Sequence, residues 1–164
     1  PKIDIMERLS LNISYVSCAF EDLSSEDAAL VVRAKEMCEH SYAPYSKFCV
    51  GAAVSLDNGE VVCGSNQENA AYPSGTCAER CTMFYANARY PEATPLVIAI
   101  AAKNEKGQFT PTPITPCGAC RQVLIETQHR YNHPLRVLLY GANRVYCLDS
   151  VSDLLPFQFD ADAL

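Results

Sequence analysis

The chain has 164 residues, of which 49% are apolar and 20% charged, with a formal net charge of −6 and a pI near 5.0. That length suits one domain able to bury its own core, and the composition is ordinary for a globular protein. The 13 Lys and Arg residues form no run, which argues against a surface tracking nucleic acid polymer or an anionic membrane and leaves small molecules or proteins as partners.

The opening stretch, PKIDIMERLSLNISYV, alternates apolar with charged or polar positions and lacks the continuous apolar region of a secretion signal. Pro1 is read as a start from which an initiator Met was removed or trimmed. The sequon at Asn12 is read as accidental. Residues 1–23 are expected to be an arm or an extra strand ahead of a single domain over 24–164. Ser24 or Ser25 can cap a helix reaching about Ala43, with Leu30, Ala34, Met37 and Cys38 at helical spacing and acidic residues in its first turn. YAPYS then breaks it. FCVGAAVSL and EVVCGSN flank Asp57-Asn58-Gly59, a hairpin signal.

A second helix is expected from about Cys77 to Arg89, and PLVIAIAA (95–102) reads as a fully buried strand. Its apolar run, Leu96 to Ala102, is far short of the roughly 20 residues of a membrane helix. GQFTPTPIT is loop. A third helix begins near Cys117 or Gly118 and reaches about His129, LRVLLYG and RVYCLD are strands, and Ser150 or Ser152 opens a short final helix. A hairpin followed by helix, strand, helix and strands predicts an α/β fold, a three-layer α-β-α sandwich with a mixed five-stranded sheet.

Nine cysteines at irregular spacing, an odd number without an export signal, do not make a disulfide framework. The expected setting is cytoplasmic, with reduced thiols. Cys18, Cys38, Cys49, Cys63, Cys81 and Cys147 are expected to be small buried apolar residues. CAE (77–79) and PCGAC (116–120) differ from these, because both fall in the first turn of a predicted helix. Free N–H groups and the positive end of the helix dipole stabilise thiolates there. Three thiolates suit zinc and leave a fourth position for water. A CxxC alone fits a structural zinc clip or a redox pair as well, but the redox reading leaves Cys77 and Glu79 without a part.

CAE followed by PCGAC is also the three-cysteine form of the zinc deaminase motif. With YAPYSKFCVGAAV, GSNQENAAYPSGTCAER, TPCGACRQVL and DLLPFQF, the chain resembles the small, homotetrameric, free-nucleoside cytidine deaminases over roughly residues 25–160. The resemblance implies one zinc per chain held by Cys77, Cys117 and Cys120, with Glu79 as proton shuttle and Arg80 hydrogen-bonding the sulfurs. It implies Asn66 and Glu68 on the ribose hydroxyls, Phe48 packed on the pyrimidine, Tyr72 near the ribose and the backbone N–H of Ala78 on the base, with carbonyls near Thr76 and Pro116 as further contacts. It also implies a homotetramer with shared active sites, Phe159 of one chain covering the base bound by another.

The implied reaction is hydrolysis of cytidine and 2′-deoxycytidine to the uridines and ammonia. Bulky Met83 and Phe84 after the motif, a longer N-terminal arm and PFQF before the tail depart from the family pattern and bear on interfaces rather than on the metal site. His40, His129 and His133 match no catalytic position. Three other readings share part of the pattern. A polynucleotide-editing deaminase needs cations the chain lacks, a deaminase of a nucleoside antibiotic or of guanine gives no reason for NQEN, and a non-enzymatic zinc module needs a fourth protein ligand.

Overall fold

The computed structural model describes residues 6–164, so the first five positions of the expected arm lie outside the described residues. Six strands and three helices follow in the order β1 (Val16–Cys18), α1 (Ser25–Met37), β2 (Cys49–Leu56), β3 (Val61–Ser65), α2 (Ala78–Arg89), β4 (Pro95–Lys103), α3 (Gly118–Tyr131), β5 (Arg136–Tyr140) and β6 (Val145–Leu148). They form one sheet with strand order β1-β6-β5-β4-β2-β3. Only β4 and β5 run parallel, and every other pair is antiparallel.

The continuous apolar run of β4 follows from its place in the middle of this sheet. Ile98, Ile100 and Ala102 point to one face and pack with Ala78, Met83 and Ala86 of α2 and Leu124 and Ile125 of α3. Val97, Ala99 and Ala101 point to the other face, toward Leu30, Val31 and Ala34 of α1. A period of two therefore serves two apolar faces at once, and the expected three-layer sandwich is what results.

Two glycines let the layers close. A Cβ on Gly51 would lie 2.0 Å from the Ala34 carbonyl oxygen and 2.8 Å from the Cys38 nitrogen, so α1 rests directly on β2. A Cβ on Gly64 would lie 2.5 Å from Thr82 Oγ1, which brings α2 equally close to β3. At the hairpin, Gly59 N–H donates to the Leu56 carbonyl (3.0 Å) and Leu56 N–H to that of Glu60 (2.9 Å).

Three expectations change. The sheet has six strands rather than five, because Val16–Cys18 pairs antiparallel with β6, opposite Val145–Cys147, and Arg144 Nε donates to Ser17 Oγ at 3.0 Å. The first helix has Ser24 as its cap, accepting from Asp27 N–H at 3.2 Å, but ends at Met37 and tightens into a 3-10 turn over Cys38–His40. Its continuation is taken by strand-like pairing: Tyr42 N–H donates to the Asn66 carbonyl (3.0 Å) and Glu68 N–H to the Tyr42 carbonyl (2.8 Å). Of the six cysteines expected to be buried, only Cys38 is; Cys18, Cys49, Cys63, Cys81 and Cys147 are half-buried. Cys18, Cys49, Cys63 and Cys147 lean on the α1-side core from β1, the start of β2, β3 and β6 respectively.

Gly51→Ala is expected to cost about 1–3 kcal/mol, because the added methyl meets backbone atoms that cannot rotate away. Urea unfolding at fixed zinc content measures it, and an unchanged midpoint would show that α1 can retreat freely from β2.

Candidate metal centre and active site

The N-termini of α2 and α3 open beside one another on one face of the sheet. Cys77 is the residue capping α2, Cys117 caps α3, and Cys120 lies in the first turn of α3. Among the described residues no side chain caps either helix start, and unpaired first-turn N–H groups favour anions such as thiolates. The three Sγ atoms lie within 4.8 Å of one another, with Cys77 and Cys117 3.8 Å apart. Cys120 is fully buried, Cys77 half-buried and Cys117 exposed, so the cluster opens outward through Cys117.

Hydrogen bonds tie the three sulfurs together. Hydrogen bonding from the Cys120 thiol, and then from Arg80 and Cys117, lowers the Cys77 thiol to about 5. The same contact with Cys77, together with burial, raises Cys120 far above an ordinary thiol. Three adjacent thiolates repel unless a cation stands between them, so this donor set fits a divalent ion in place of the shared protons. Arg80 Nη2 donates to Cys77 Sγ at 3.5 Å, and its buried Nε has no hydrogen-bond partner among the described residues. Glu79 is 4% exposed on the inner side of the cluster. Burial raises its carboxyl above the usual range, and the charge at Cys77 adds to this.

Outside the sulfurs a cleft of about 530 Å³ is lined by Tyr45, Ser46, Asn66, Gln67, Glu68, Asn69, Tyr72, Gly75, Thr76, Cys77 and Arg80. Asn66 spans the start of β2: its Oδ1 accepts from Val50 N–H and its Nδ2 donates to the Phe48 carbonyl, both at 2.8 Å. Glu68 Oε2 accepts from the N–H groups of Tyr45 (2.9 Å) and Ser46 (3.2 Å), and Oε1 accepts from the Ser46 hydroxyl. Those bonds, the hydroxyl's first, hold the Glu68 carboxyl below the usual carboxylate range.

Residues 24–132 match the family described as "Cytidine and deoxycytidylate deaminase zinc-binding region". The cytidine deaminase of Halalkalibacterium halodurans is 39% identical over 135 residues, which span 81% of this chain and 93% of that protein. That of Mycobacterium tuberculosis is 36% identical over 127 residues, spanning 76% and 82% respectively. A crystal structure of cytidine deaminase from Burkholderia pseudomallei is similar with a TM-score of 0.70 at 39% identity, covering 84% of this chain and all of that one. The chain belongs to the cytidine and deoxycytidylate deaminase family.

Its cofactor is zinc. The match is to the family's zinc-binding region, and Cys77, Cys117 and Cys120 all fall inside it. Among the described residues one other group, His129 with Asp160 and Asp162, brings three donors within 4.8 Å, but it is richer in oxygen and lies at the exposed C-terminal end. Thiolates are the better match to a borderline-soft ion.

Within this family frame the structure brings together Asn66, Glu68, Tyr72, Cys77 and Arg80 on the cleft, with Tyr72 78% exposed. Ala78 and Glu79 are buried behind it. Phe48 does not line the cleft within one chain; it is half-buried and packs on the core beneath β2. Phe159 is 60% exposed, outside the cleft, with its carbonyl accepting from Gln122 Nε2 at 2.8 Å. The carbonyls of Thr76 and Pro116 already accept from Gln67 N–H (2.9 Å) and Arg121 Nε (2.8 Å).

Arg121 was not visible as a site residue in the sequence. Besides Pro116 it donates to the Leu154 carbonyl (2.6 Å) and to Thr115 Oγ1 (3.1 Å), fixing the loop that delivers Cys117. Only its position, one residue after CGAC, hinted at this. Arg121→Met should destabilise the chain by about 1.5–3 kcal/mol, the usual range for losing hydrogen bonds to a charged group. A thermal unfolding midpoint equal to that of the parent chain would mean the loop holds itself.

Proposed function

We propose that the chain hydrolyses cytidine and 2′-deoxycytidine to uridine and 2′-deoxyuridine with release of ammonia, a pyrimidine salvage reaction of the cytoplasm. The observation that carries the proposal is a buried carboxylate, Glu79, one turn from a cysteine triad at two helix starts. Cys77, Cys117 and Cys120 would hold the zinc, which would supply Lewis acidity toward water.

Glu79 moves the protons. It accepts one from the attacking water as the water oxygen bonds to C4 of the base, and delivers it to N3. It then carries the remaining hydroxyl proton to the exocyclic nitrogen as the C4–N bond breaks, so that one water enters and one ammonia leaves. Burial keeps bulk water from short-circuiting that transfer. Arg80 holds Cys77 Sγ and limits the charge gathered on the cluster. Asn66 and Glu68 read the sugar, Tyr72 borders it and the Ala78 N–H faces the base, while Phe48, which packs on the core outside the cleft of its own chain, would reach a base only in a neighbour's site.

Phe159 serves a neighbour. An exposed aromatic side chain next to an acidic tail has no core of its own to close, which supports a homotetramer whose sites are each covered by another chain. A nucleotide substrate is the second reading, since the family description includes deoxycytidylate. Against it, Arg80 is the only cation among the described residues lining the cleft, and its guanidinium is bound to Cys77. A phosphate there would face Glu68 instead. A deaminase of another cytosine-containing small molecule would leave Asn66 and Glu68 without a ribose to read.

An ultraviolet assay with cytidine, 2′-deoxycytidine and CMP tests the assignment: turnover of the two nucleosides and little of CMP is expected, and preference for CMP would overturn it. Glu79→Gln should keep zinc and fold while losing at least roughly 10²-fold in kcat; near-normal turnover would remove Glu79 from the proton path. Deleting residues 157–164 should cost tenfold or more in kcat/KM, on the order of 1.4 kcal/mol, with zinc retained. Sedimentation and kinetics on one truncated sample check this, and a tetramer with unchanged kinetics would take Phe159 out of the site.

A further inference from the structure

We infer that Ser46 is a positioning residue that sets the rotamer of Glu68 and leaves that carboxylate one free acceptor site, for a single sugar hydroxyl. The inference rests on the reading of Glu68 as a sugar contact.

Ser46 lies in the segment between the 3-10 turn and β2, where the chain doubles back. Lys47 N–H donates to the Ala43 carbonyl at 3.0 Å, and Lys47 takes a left-handed backbone conformation, with φ of 59°. A non-glycine residue is held there only where its surroundings fix it. The turn places three donors around one carboxylate. Two are the N–H groups of Tyr45 and Ser46, both on Oε2, and the third is the Ser46 hydroxyl, on Oε1.

The hydroxyl has no freedom to point elsewhere. Ser46 Oγ accepts from Phe48 N–H at 3.1 Å, which turns its own single proton away from that amide and toward Glu68. One hydroxyl thus ties the carboxylate to Phe48, the residue just before β2. A carboxylate offers about four acceptor positions; three are occupied, so one remains, on Oε1. Asn66 is similarly committed, with one amide proton and one oxygen lone pair spent on Phe48 and Val50. The free Glu68 acceptor and the remaining Asn66 amide proton, both on residues lining the cleft, suit a hydroxyl that donates to Glu68 and accepts from Asn66.

Without the Ser46 hydroxyl, Oε1 loses the partner that fixes its direction. Glu68 keeps its charge and its two backbone bonds but rotates about them, and a sugar hydroxyl must then be bound by a mobile acceptor. Loop collapse would act differently, because it would penalise every substrate alike.

The test is steady-state kinetics of the zinc-loaded full chain and its Ser46→Ala, Ser46→Thr, Glu68→Gln and double Ser46→Ala/Glu68→Gln variants. Each is assayed with cytidine and with 2′,3′-dideoxycytidine, which lacks both ribose ring hydroxyls. Expected for Ser46→Ala is a fall of about tenfold or more in kcat/KM for cytidine, carried mainly by KM. The same variant should match the parent chain with the dideoxy substrate. Ser46→Thr, which retains the hydroxyl, should restore cytidine turnover, and the double variant should be no worse than Glu68→Gln, the non-additivity expected of coupled residues.

Ser46→Ala equal to the parent chain on cytidine, or equally impaired on both substrates, overturns the role of Ser46. If Glu68→Gln itself fails to distinguish the two substrates, the sugar reading falls and the inference falls with it. A substrate-selective Glu68→Gln beside a silent Ser46→Ala rejects the inference alone.

Discussion

Everything at the centre of this molecule depends on two helix N-termini being held side by side. An isolated N-terminus offers unpaired N–H groups and the positive end of a dipole, enough to favour one anion. Here α2 and α3 begin next to each other, and the residues at those starts are cysteines, so three sulfurs share a space that would otherwise repel them. The sheet makes this possible. Both helices pack on the same face, over Ile98, Ile100 and Val137, and Gly64 lets α2 approach β3 without an intervening side chain. Arg121 then fixes the loop from which Cys117 emerges.

That arrangement divides the site into two environments. Behind the sulfurs, Glu79 is nearly inaccessible to water and its carboxyl is pushed toward the protonated form. In front, Glu68 lies under three donors and is pushed the other way. Two carboxylates in one small region are therefore pushed in opposite directions, Glu79 toward the protonated form and Glu68 toward the ionised one. The difference comes from where each sits, Glu79 on the first turn of a buried helix and Glu68 on a loop paired to the 42–46 segment.

Much of this could be read from the sequence, and the parts that could not share a cause. The strands β2 to β6 and the starts of α2 and α3 carry strong local signals: the long apolar run of β4, the Asp57-Asn58-Gly59 turn, and cysteines placed at helix openings. β1 has three residues with Val16 exposed, and its existence depends on hydrogen bonds to β6 at the far end of the chain. The end of α1 is not legible locally, because Cys38–His40 looks helical while Tyr42 is drawn into pairing with residues 66–68. Ser46 and Arg121 look like ordinary loop and helix residues until their partners, distant in sequence, are brought to them. Phe48 was assigned to the base by resemblance, and within a single chain its half-burial reflects the core under β2.

The central claim is that three sulfurs hold the metal and one position stays open to water. X-ray absorption at the zinc edge of the full chain tests it most directly. Three sulfur scatterers near about 2.3 Å with one oxygen near about 2.0–2.2 Å are predicted. Four protein donors around the ion, whether a fourth sulfur or an imidazole, would make the site a closed structural one and contradict the account.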